Sequence, residues 1–588
     1  MQAALDVSWR RLSEEQKRAF QELTIFRGGF TREAALEVAG ATLPVLVTMV
    51  NKSWLAYSRQ RDRYHIHELL RQYGAARLGA DPDREQAVRD RHSAYFCNFL
   101  HVREMDWVGP EQLDAANDVQ FEIENIHRAW RWAAARGKCD LLAQGQHSLR
   151  HFYDWEGRKS DGLRMSHAAG EGLAAAIAGE RVDLAPCLAL RSRIMAWEAG
   201  YIEEVVERES VLAKSEQILA RAAQLGWDTR AEEAEIRLGK VYAAGNQDRS
   251  LAIEEGRRAL ALFQEVGNRW GQAETSRVMG VNYLFLGAFA EAKRRLGESL
   301  AILEELDDKR NIAKTTTDLG LVAQHQGNYE EAETLHRQGL KLHRELRNRH
   351  YESYTFTVLS FTHSWAGNFE AAHESARLSV GMHREISDVP ELWGLIALTM
   401  AVFHLGDYVQ AAHMAAEALE IADQRGHLLE KAFALLFLGD IAIIDGELDT
   451  ATDYLSESAV LMAVVGYVYQ ALPQANLSLA ARAQGDGEKA REALASAVRS
   501  SLEYRSTTPL MYCLPAAALL AADVGDRARS MALYGLAQRF GHIMNSRWFE
   551  DAACRELEAV RDSMPPDLAA EAVARGREME VWESARNL

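Results

Sequence analysis

From about residue 157 to residue 525 the apolar positions fall into pairs of amphipathic runs, each pair broken by a glycine. Around Gly327, the residues Ala313, Leu319, Leu321 and Val322 recur at helical spacing, which predicts one helix from Ala313 to Gln326. Gly327 ends it, being the residue type that tolerates the left-handed backbone found just past helix ends. Asn328-Tyr329 makes the turn. A second helix is predicted from Glu330 to Leu346, with acids in its first turn, where the helix dipole favours negative charge. The same phrase returns at Gly287, Gly367, Gly406, Gly446, Gly485 and Gly525, with looser copies at Gly157, Gly200 and Gly245. The steps between these glycines run from 39 to 45 residues. A period that regular indicates one helical hairpin stacked many times, a solenoid in which each unit needs its neighbours to complete a core.

The small residues support this architecture. Alanine stands six positions into the phrase at Ala292, Ala332, Ala372, Ala451 and Ala490, where the paired helices must approach closely. Met279-Gly280, Leu319-Gly320 and Leu438-Gly439, each ending seven residues before a turn glycine, add an apolar residue and a second small one. Small residue, Gly-Asp/Asn-Tyr/Phe turn and alanine together resemble the tetratricopeptide repeat. The usual unit of that family is 34 residues; a period of about 40 implies longer helices or linkers, as in variants that resemble the sensor arms of bacterial regulatory ATPases. The expected fold class is all-α: a tetratricopeptide-like α-solenoid of about ten helical hairpins over residues 141–540, preceded by a small winged-helix module at 1–80.

The first 80 residues do not follow the repeat. Ser13-Glu-Glu-Gln16 is a capping box whose helix carries Ala19, Phe20 and Leu23 inward. Thr31 caps a second helix that stops at Gly40, a third runs from Leu43 to Asn51, and the β-prone runs Trp54–Tyr57 and Tyr64–His67 flank a charged tip, which is a hairpin signal. A last helix, Glu68 to Leu78, completes the module. Leu12-Ser-Glu-Glu-Gln16, Ile25-Phe-Arg-Gly-Gly-Phe30 and Tyr64-His-Ile-His-Glu-Leu-Leu-Arg-Gln-Tyr73 resemble the winged-helix domain of STAND and NB-ARC signalling ATPases. In that family a Met-His-Asp triplet lies here, and its histidine contacts the β-phosphate of bound ADP. Ile66, His67 and Glu68 occupy the matching positions, so the resemblance implies a nucleotide-sensing His67. The alternative role for His67 is a plain helix cap.

Residues 84–140 are expected to form a helical coupling segment. Glu122-Ile-Glu-Asn-Ile-His-Arg-Ala-Trp-Arg-Trp-Ala133 resembles the segment that joins winged helix to repeats in the same family, with Asn125 making an interhelix hydrogen bond and Trp130 and Trp132 in the core. Residues 541–588 are expected to cap the last repeat. No Gly-x-x-x-x-Gly-Lys-Ser/Thr occurs, and Gly157-Arg-Lys-Ser160 lacks the phosphate-wrapping loop. The chain therefore reads as the C-terminal portion of a larger ATPase, or as a protein without the motor. No cofactor is expected in this chain, with ADP or ATP belonging to a full-length parent.

Composition narrows the classes further. The 588 residues carry a net charge of −18, which argues against a nucleic-acid-coating surface. Five scattered cysteines without Cys-x-x-Cys read as reduced thiols of a cytoplasmic protein. The longest apolar run, Trp393 to Leu405, is too short to span a bilayer. There is no His-Glu-x-x-His, no Gly-x-Ser-x-Gly and no metal-ligand spacing among the 19 histidines, so catalysis and metal binding are not expected.

Binding is expected on the concave face, formed by the first helix of each hairpin. Aligned on the turn glycines, that face takes Arg277; then Lys314, Thr317, Gln324 and His325; then Tyr354, Phe361 and Trp365; then Trp393, Met400, Phe403 and His404; then Phe433, Leu436 and Asp440. Large aromatics beside basic groups form a groove for a protein, peptide or small-molecule inducer. Three functions follow in order. The first is the sensor region of a STAND ATPase, relaying inducer occupancy through the winged helix to a nucleotide-binding domain, with oligomerisation on activation left open. The second is a free-standing tetratricopeptide scaffold for protein partners. A DNA-binding regulator is a distant third, because Leu43–Asn51, the would-be recognition helix, has only Lys52 beside it for phosphates.

Overall fold

The computed structural model describes residues 2–179, 182–245, 247–386 and 391–588. Two compact units can be distinguished: Met1–Tyr201 with Ala213–Glu232, and Ile202–Leu212 with Glu233–Leu588.

The first unit opens with a helix at Gln2–Arg10, for which the sequence patterning gave no signal. Glu14–Leu23 follows, with the expected capping box: Ser13 accepts from the Gln16 N–H and Gln16 accepts from the Ser13 N–H. Arg32–Ala39 is capped by Thr31 and stopped by Gly40 at φ 59°. Leu43–Asn51, a hairpin and Glu68–Leu78 complete the order. The strands are shorter than the β-prone runs: Ala56–Ser58 pairs with Arg63–His65, while Trp54 and Leu55 turn into the core instead. Phe30 and Tyr64 exchange two backbone hydrogen bonds, which ties the hairpin to the Phe26–Phe30 turn.

Two long helices, Pro82–His101 and Gln112–Ala135, follow. Asn125 is the joint between them and the N-terminal module: its side-chain oxygen accepts the Arg27 N–H at 2.7 Å and its amide donates to Gly29 O at 2.9 Å. The same amide donates to Glu122, which holds Arg63 of the hairpin in a buried two-pronged ion pair. Trp130 is buried and donates to Met165 O, but Trp132 is not a core residue. It lies half-exposed between the guanidinium groups of Arg89 and Arg136, because it sits on the outer stripe of its helix, with its indole N–H on Asp90.

Ten helical hairpins then succeed one another among the described residues, from Cys139–Glu156 with Lys159–Ala178 to Thr507–Asp523 with Arg527–Ala537. The fifth repeat, Lys309–His325 and Tyr329–Glu345, and the sixth, Arg349–Ala366 and Phe369–Ile386, show the pattern. Their helices are 17 or 18 residues long and the turns between them short, so the long period resides in the helices. Gly327 adopts φ 83° as the turn requires. Ala292, Ala332, Ala372, Ala451 and Ala490 have no exposed surface. A Cβ on Gly320 would come within 2.6 Å of the His336 ring, so two small residues per hairpin let its helices cross.

Within the second unit the solenoid closes on itself after one turn of its superhelix. Val468 N–H donates to Phe285 O at 2.8 Å, Gln247 donates to Gly426 O at 2.7 Å, and the His427 ring meets Glu203 O at 3.2 Å. The C-terminal segment does more than cover the last repeat. Pro566–Glu578 packs on Arg527–Ala537, but residues 541–549 thread inward, where His542 reaches Ser364 O, Ser546 meets His404, and the Trp548 indole donates to Asp440 O.

One expectation about the cysteines is corrected. Cys139 and Cys187, 48 residues apart, form a disulfide, while Cys97, Cys513 and Cys554 are free and buried. Each of the paired cysteines lies near the start of a repeat helix, and hairpin stacking brings their Cα atoms to 5.8 Å, a proximity that spacing along the chain does not reveal. Among the described residues no single helix is long and apolar enough to cross a membrane, and no cluster of His, Cys, Asp or Glu could hold a metal ion.

Candidate functional site

A cavity of about 150 Å³ lies inside the second unit, walled by the first helices of repeats four to eight, the start of the second helix of repeat three, and the loop before repeat nine. Its rim is a circuit of aromatic rings. Phe361 contacts Trp393 at 5.9 Å between centroids, Trp393 contacts Phe433 at 5.7 Å, and Phe433 contacts Tyr467 at 5.8 Å. Tyr467 then meets Phe285 at 5.6 Å, Phe285 meets His325 at 5.7 Å, His325 stacks on Tyr469 at 4.8 Å, and Tyr469 meets Trp365 at 5.4 Å. Most of these contacts are edge-to-face, the arrangement that the ring quadrupole favours. Trp365 lies one helical turn beyond Phe361, which completes the circuit.

The structure therefore brings Gln324, His325, Tyr354, Phe361, Trp365, Trp393 and Phe433 together on one wall. It places the other groove candidates elsewhere. Met400 and Phe403 are buried in the core, with Phe403 against Phe437 and Trp548. His404 is buried between Phe369 and His542 with Nδ1 on Ser546, and burial with His542 nearby holds it well below the ordinary histidine pKa. The inward-threading C-terminal segment occupies the face that Phe403 and His404 present. Asp440 is likewise buried, bonded to Asn476, and burial raises it well above the ordinary carboxylate range. Leu436 is core.

Arg277 and Lys314 belong to a separate, self-compensated network. Arg277 forks onto Glu274 at 2.9 Å and reaches Asp318 at 2.7 Å; Lys314 lies 3.4 Å from Glu274 and over the Tyr351 ring at 4.9 Å. Burial works against the Glu274 charge, yet Arg277 and Lys314 hold this carboxyl well below its usual range. Two cations and two carboxylates leave little net charge for a ligand. Thr317 turns back to Ala313 O within its own helix.

Nine wall residues stand outside the expected set: Val281, Phe285, Leu321, Thr357, Val358 and Leu429 on first helices, and Arg249, Tyr467 and Tyr469 off them. Tyr467 and Tyr469 sit in a loop between repeats, where the period carries no signal. Arg249 begins the second helix of repeat three, Arg249–Glu265, whereas the concave-face assignment used first helices only.

His67 lies apart, exposed in the first unit, as the N-cap of Glu68–Leu78 with Nδ1 accepting from the Leu69 N–H at 3.3 Å. Beside it, Arg71 and Arg27 bond Glu68, and the Arg71 hydrogen bond lowers that carboxyl to about 2. Arg128 stands in the same cluster with its Nη1 unpartnered; burial, then Arg27, Arg89 and Arg71, lower it to about 10.

Comparison with known proteins agrees with the repeat architecture. A tetratricopeptide-repeat family model matches residues 311–385, which are repeats five and six. Proteins of Mycobacterium tuberculosis and Mycobacterium bovis named "Putative HTH-type transcriptional regulator" are 25% identical over 240 residues, covering 38% of this chain and 26% of theirs. The chain thus spans about a quarter of the length of the curated relatives it matches. Among solved structures, a STAND protein with a tetratricopeptide repeat sensor from Pyrococcus horikoshii aligns at 14% identity and TM-score 0.36, over 83% of this chain and 63% of that one. A Rap protein complexed with Competence and Sporulation Factor aligns at 15% and 0.38, over 58% and 99%. The Cut9–Hcn1 assembly of the APC/C aligns at 12% and 0.45, over 97% and 100%. The ten hairpins from Cys139 to Ala537 are a tetratricopeptide-like α-solenoid.

Proposed function

We propose that this chain is the sensing region of a STAND-type signalling protein. The repeats hold an inducer, and the N-terminal helix–hairpin–helix module, read as a winged helix, passes its presence to a nucleotide-binding domain outside this sequence. The observation that carries the reading is the ring-lined cavity: side chains from six repeats and one connecting loop converge on it, so an occupant bears on the packing between repeats. A ligand shifts a conformational equilibrium only through contacts that differ between states, and a wall assembled from many independent helices supplies such contacts. On this reading the protein is cytoplasmic and performs no catalysis in this region.

The module supports the relay in two ways. Asn125 and the Arg63–Glu122 pair fasten it to the helix Gln112–Ala135. The arginines around Glu68 leave positive charge beside His67, where a nucleotide phosphate would arrive. In the full-length protein, His67→Ala is expected to lower retained ADP without unfolding the chain.

The direct test of the sensor is calorimetry with a neutral one-ring probe, p-cresol, on the wild-type chain and on Val281→Trp, which puts an indole into the cavity from its half-buried wall. Binding that the variant abolishes supports an inducer site. If wild type binds neither p-cresol nor a ring carboxylate such as 4-hydroxybenzoate, the sensor reading falls in favour of a scaffold that gathers proteins on its outer surface.

A further inference from the structure

We propose that the cavity is built for a small carboxylate carried on a single flat ring, with Arg249 as its anion hook and His325 as a hydrogen-bond acceptor opposite. This rests on the sensor reading and adds the chemistry of the inducer.

Arg249 is a lone guanidinium among aromatic rings. Only 3% of it is exposed, and it lies over the Phe285 ring at 4.4 Å. One Nη reaches Asn282 Oδ1 at the long distance of 3.4 Å, while Nε and the other Nη have no acceptor. Nε and one Nη are the pair of donors with which a guanidinium grips a carboxylate. No described carboxylate takes that place. The acid that acts on it, Glu430, is itself buried and turned to His427, with Oε1 3.6 Å from that ring. Burial raises the Glu430 carboxyl above its ordinary range, against the pull of His427 and Arg249. Buried arginines are ordinarily paired; among the described residues Nε and the other Nη have no partner, and a ligand carboxylate supplies one.

The second polar group fixes what else the ligand carries. His325 Nδ1 lies 2.9 Å from Leu321 O, a carbonyl that can only accept, so Nδ1 bears the proton. Burial lowers the ring to about 4, and it is neutral at physiological pH. Its Nε2 is then a bare acceptor, buried and without a donor. A hydroxyl or ring N–H on the ligand satisfies it. The cavity of about 150 Å³ matches the size of an engineered apolar cavity that takes up one benzene ring. The rings around it offer faces and edges to a flat body, and the space excludes more than one residue of a peptide.

The same carboxylate could arrive as a free aromatic acid or as the C-terminal tyrosine of a peptide, and one titration series separates the two. Wild-type chain is titrated by calorimetry with 4-hydroxybenzoate and 4-hydroxyphenylacetate, their primary amides, p-cresol, and a tripeptide ending in tyrosine with its carboxylate free or amidated. Expected is binding of at least one free acid ten or more times tighter than its amide, with loss of that advantage in Arg249→Met and no binding in Val281→Trp. Preference for the peptide acid over both free acids assigns the site to a chain terminus. Equal binding of acid and amide, an unchanged acid affinity in Arg249→Met, or no acid binding at all overturns the proposal. If p-cresol still binds wild type and not Val281→Trp in those cases, the sensor reading survives; if nothing binds, both fall.

Discussion

Arg249 should cost the protein stability, and removing its charge should return some of it. Burial lowers this guanidinium to about 10 from its ordinary value, about two and a half powers of ten in proton affinity. At 1.36 kcal/mol per tenfold change, that is about 3 kcal/mol of stability. The sign is destabilising: the folded state disfavours the charged form that the unfolded chain carries freely. The cost is therefore fully present at neutral pH and fades only as pH rises above about 10. Against it stands the contact with the Phe285 face, on the order of 1–2 kcal/mol when desolvated. In Arg249→Met the stem keeps its packing while the charge and the ring contact go, leaving a net gain of about 1–2 kcal/mol. Urea unfolding followed by tryptophan fluorescence, with Trp365 and Trp393 on the cavity wall as reporters, should show a higher midpoint at unchanged slope. A variant less stable than wild type by about 1 kcal/mol or more would show that the guanidinium is a structural partner and would refute the reasoning. A gain is the signature of a group kept for binding at the expense of the fold.

Gly172→Ala should destabilise the first unit by about 1–3 kcal/mol, since its Cβ would stand 2.0 Å from Ala134 O on the packed neighbouring helix; thermal unfolding of the variant measures it. Alkylation of the denatured, unreduced chain should modify three cysteines, and all five only after reductant, as mass spectrometry will count. Acid should weaken the second unit early. Burial lowers His336 and His343 to about 3, and His325 and His542 to about 4, so the unfolded chain takes up protons that the folded one refuses. Stability is then lost as pH falls from the ordinary histidine range toward 4, by about 2 kcal/mol per histidine at pH 5; urea midpoints at pH 7 and pH 5 that coincide would contradict this.

The repeat was legible because its signals are local: a turn glycine, an alanine six positions into the phrase and apolar residues at helical spacing all act within one hairpin. The same alignment placed Gln324, His325, Tyr354, Phe361, Trp365 and Trp393 on first helices, and these meet around one space. What it lacked was everything decided by chain returning from far away. Phe403 and His404 occupy equivalent helical positions, but residues 541–549 lie over them, and no rule of spacing foretells that. Tyr467 and Tyr469 fall in a connecting loop, and Arg249 at the head of a second helix. The Cys139–Cys187 pairing is likewise made by stacking, not by sequence neighbourhood.

The meeting of Val468 with Phe285, across about 180 residues of chain, also sets a timetable. A stack whose units touch only their neighbours can assemble as fast as it is made. Here one wall of the cavity waits for a loop that leaves the ribosome much later. At about 5–20 residues per second the delay is on the order of ten to forty seconds. Until that loop arrives, Phe285 and His325 lack the ring contacts of Tyr467 and Tyr469, and the nascent chain offers the rings of a half-built chamber to whatever chaperone or hydrophobic small molecule is at hand. A compound that fits the finished chamber therefore has its first opportunity to act during synthesis, as a template around which the circle is drawn shut.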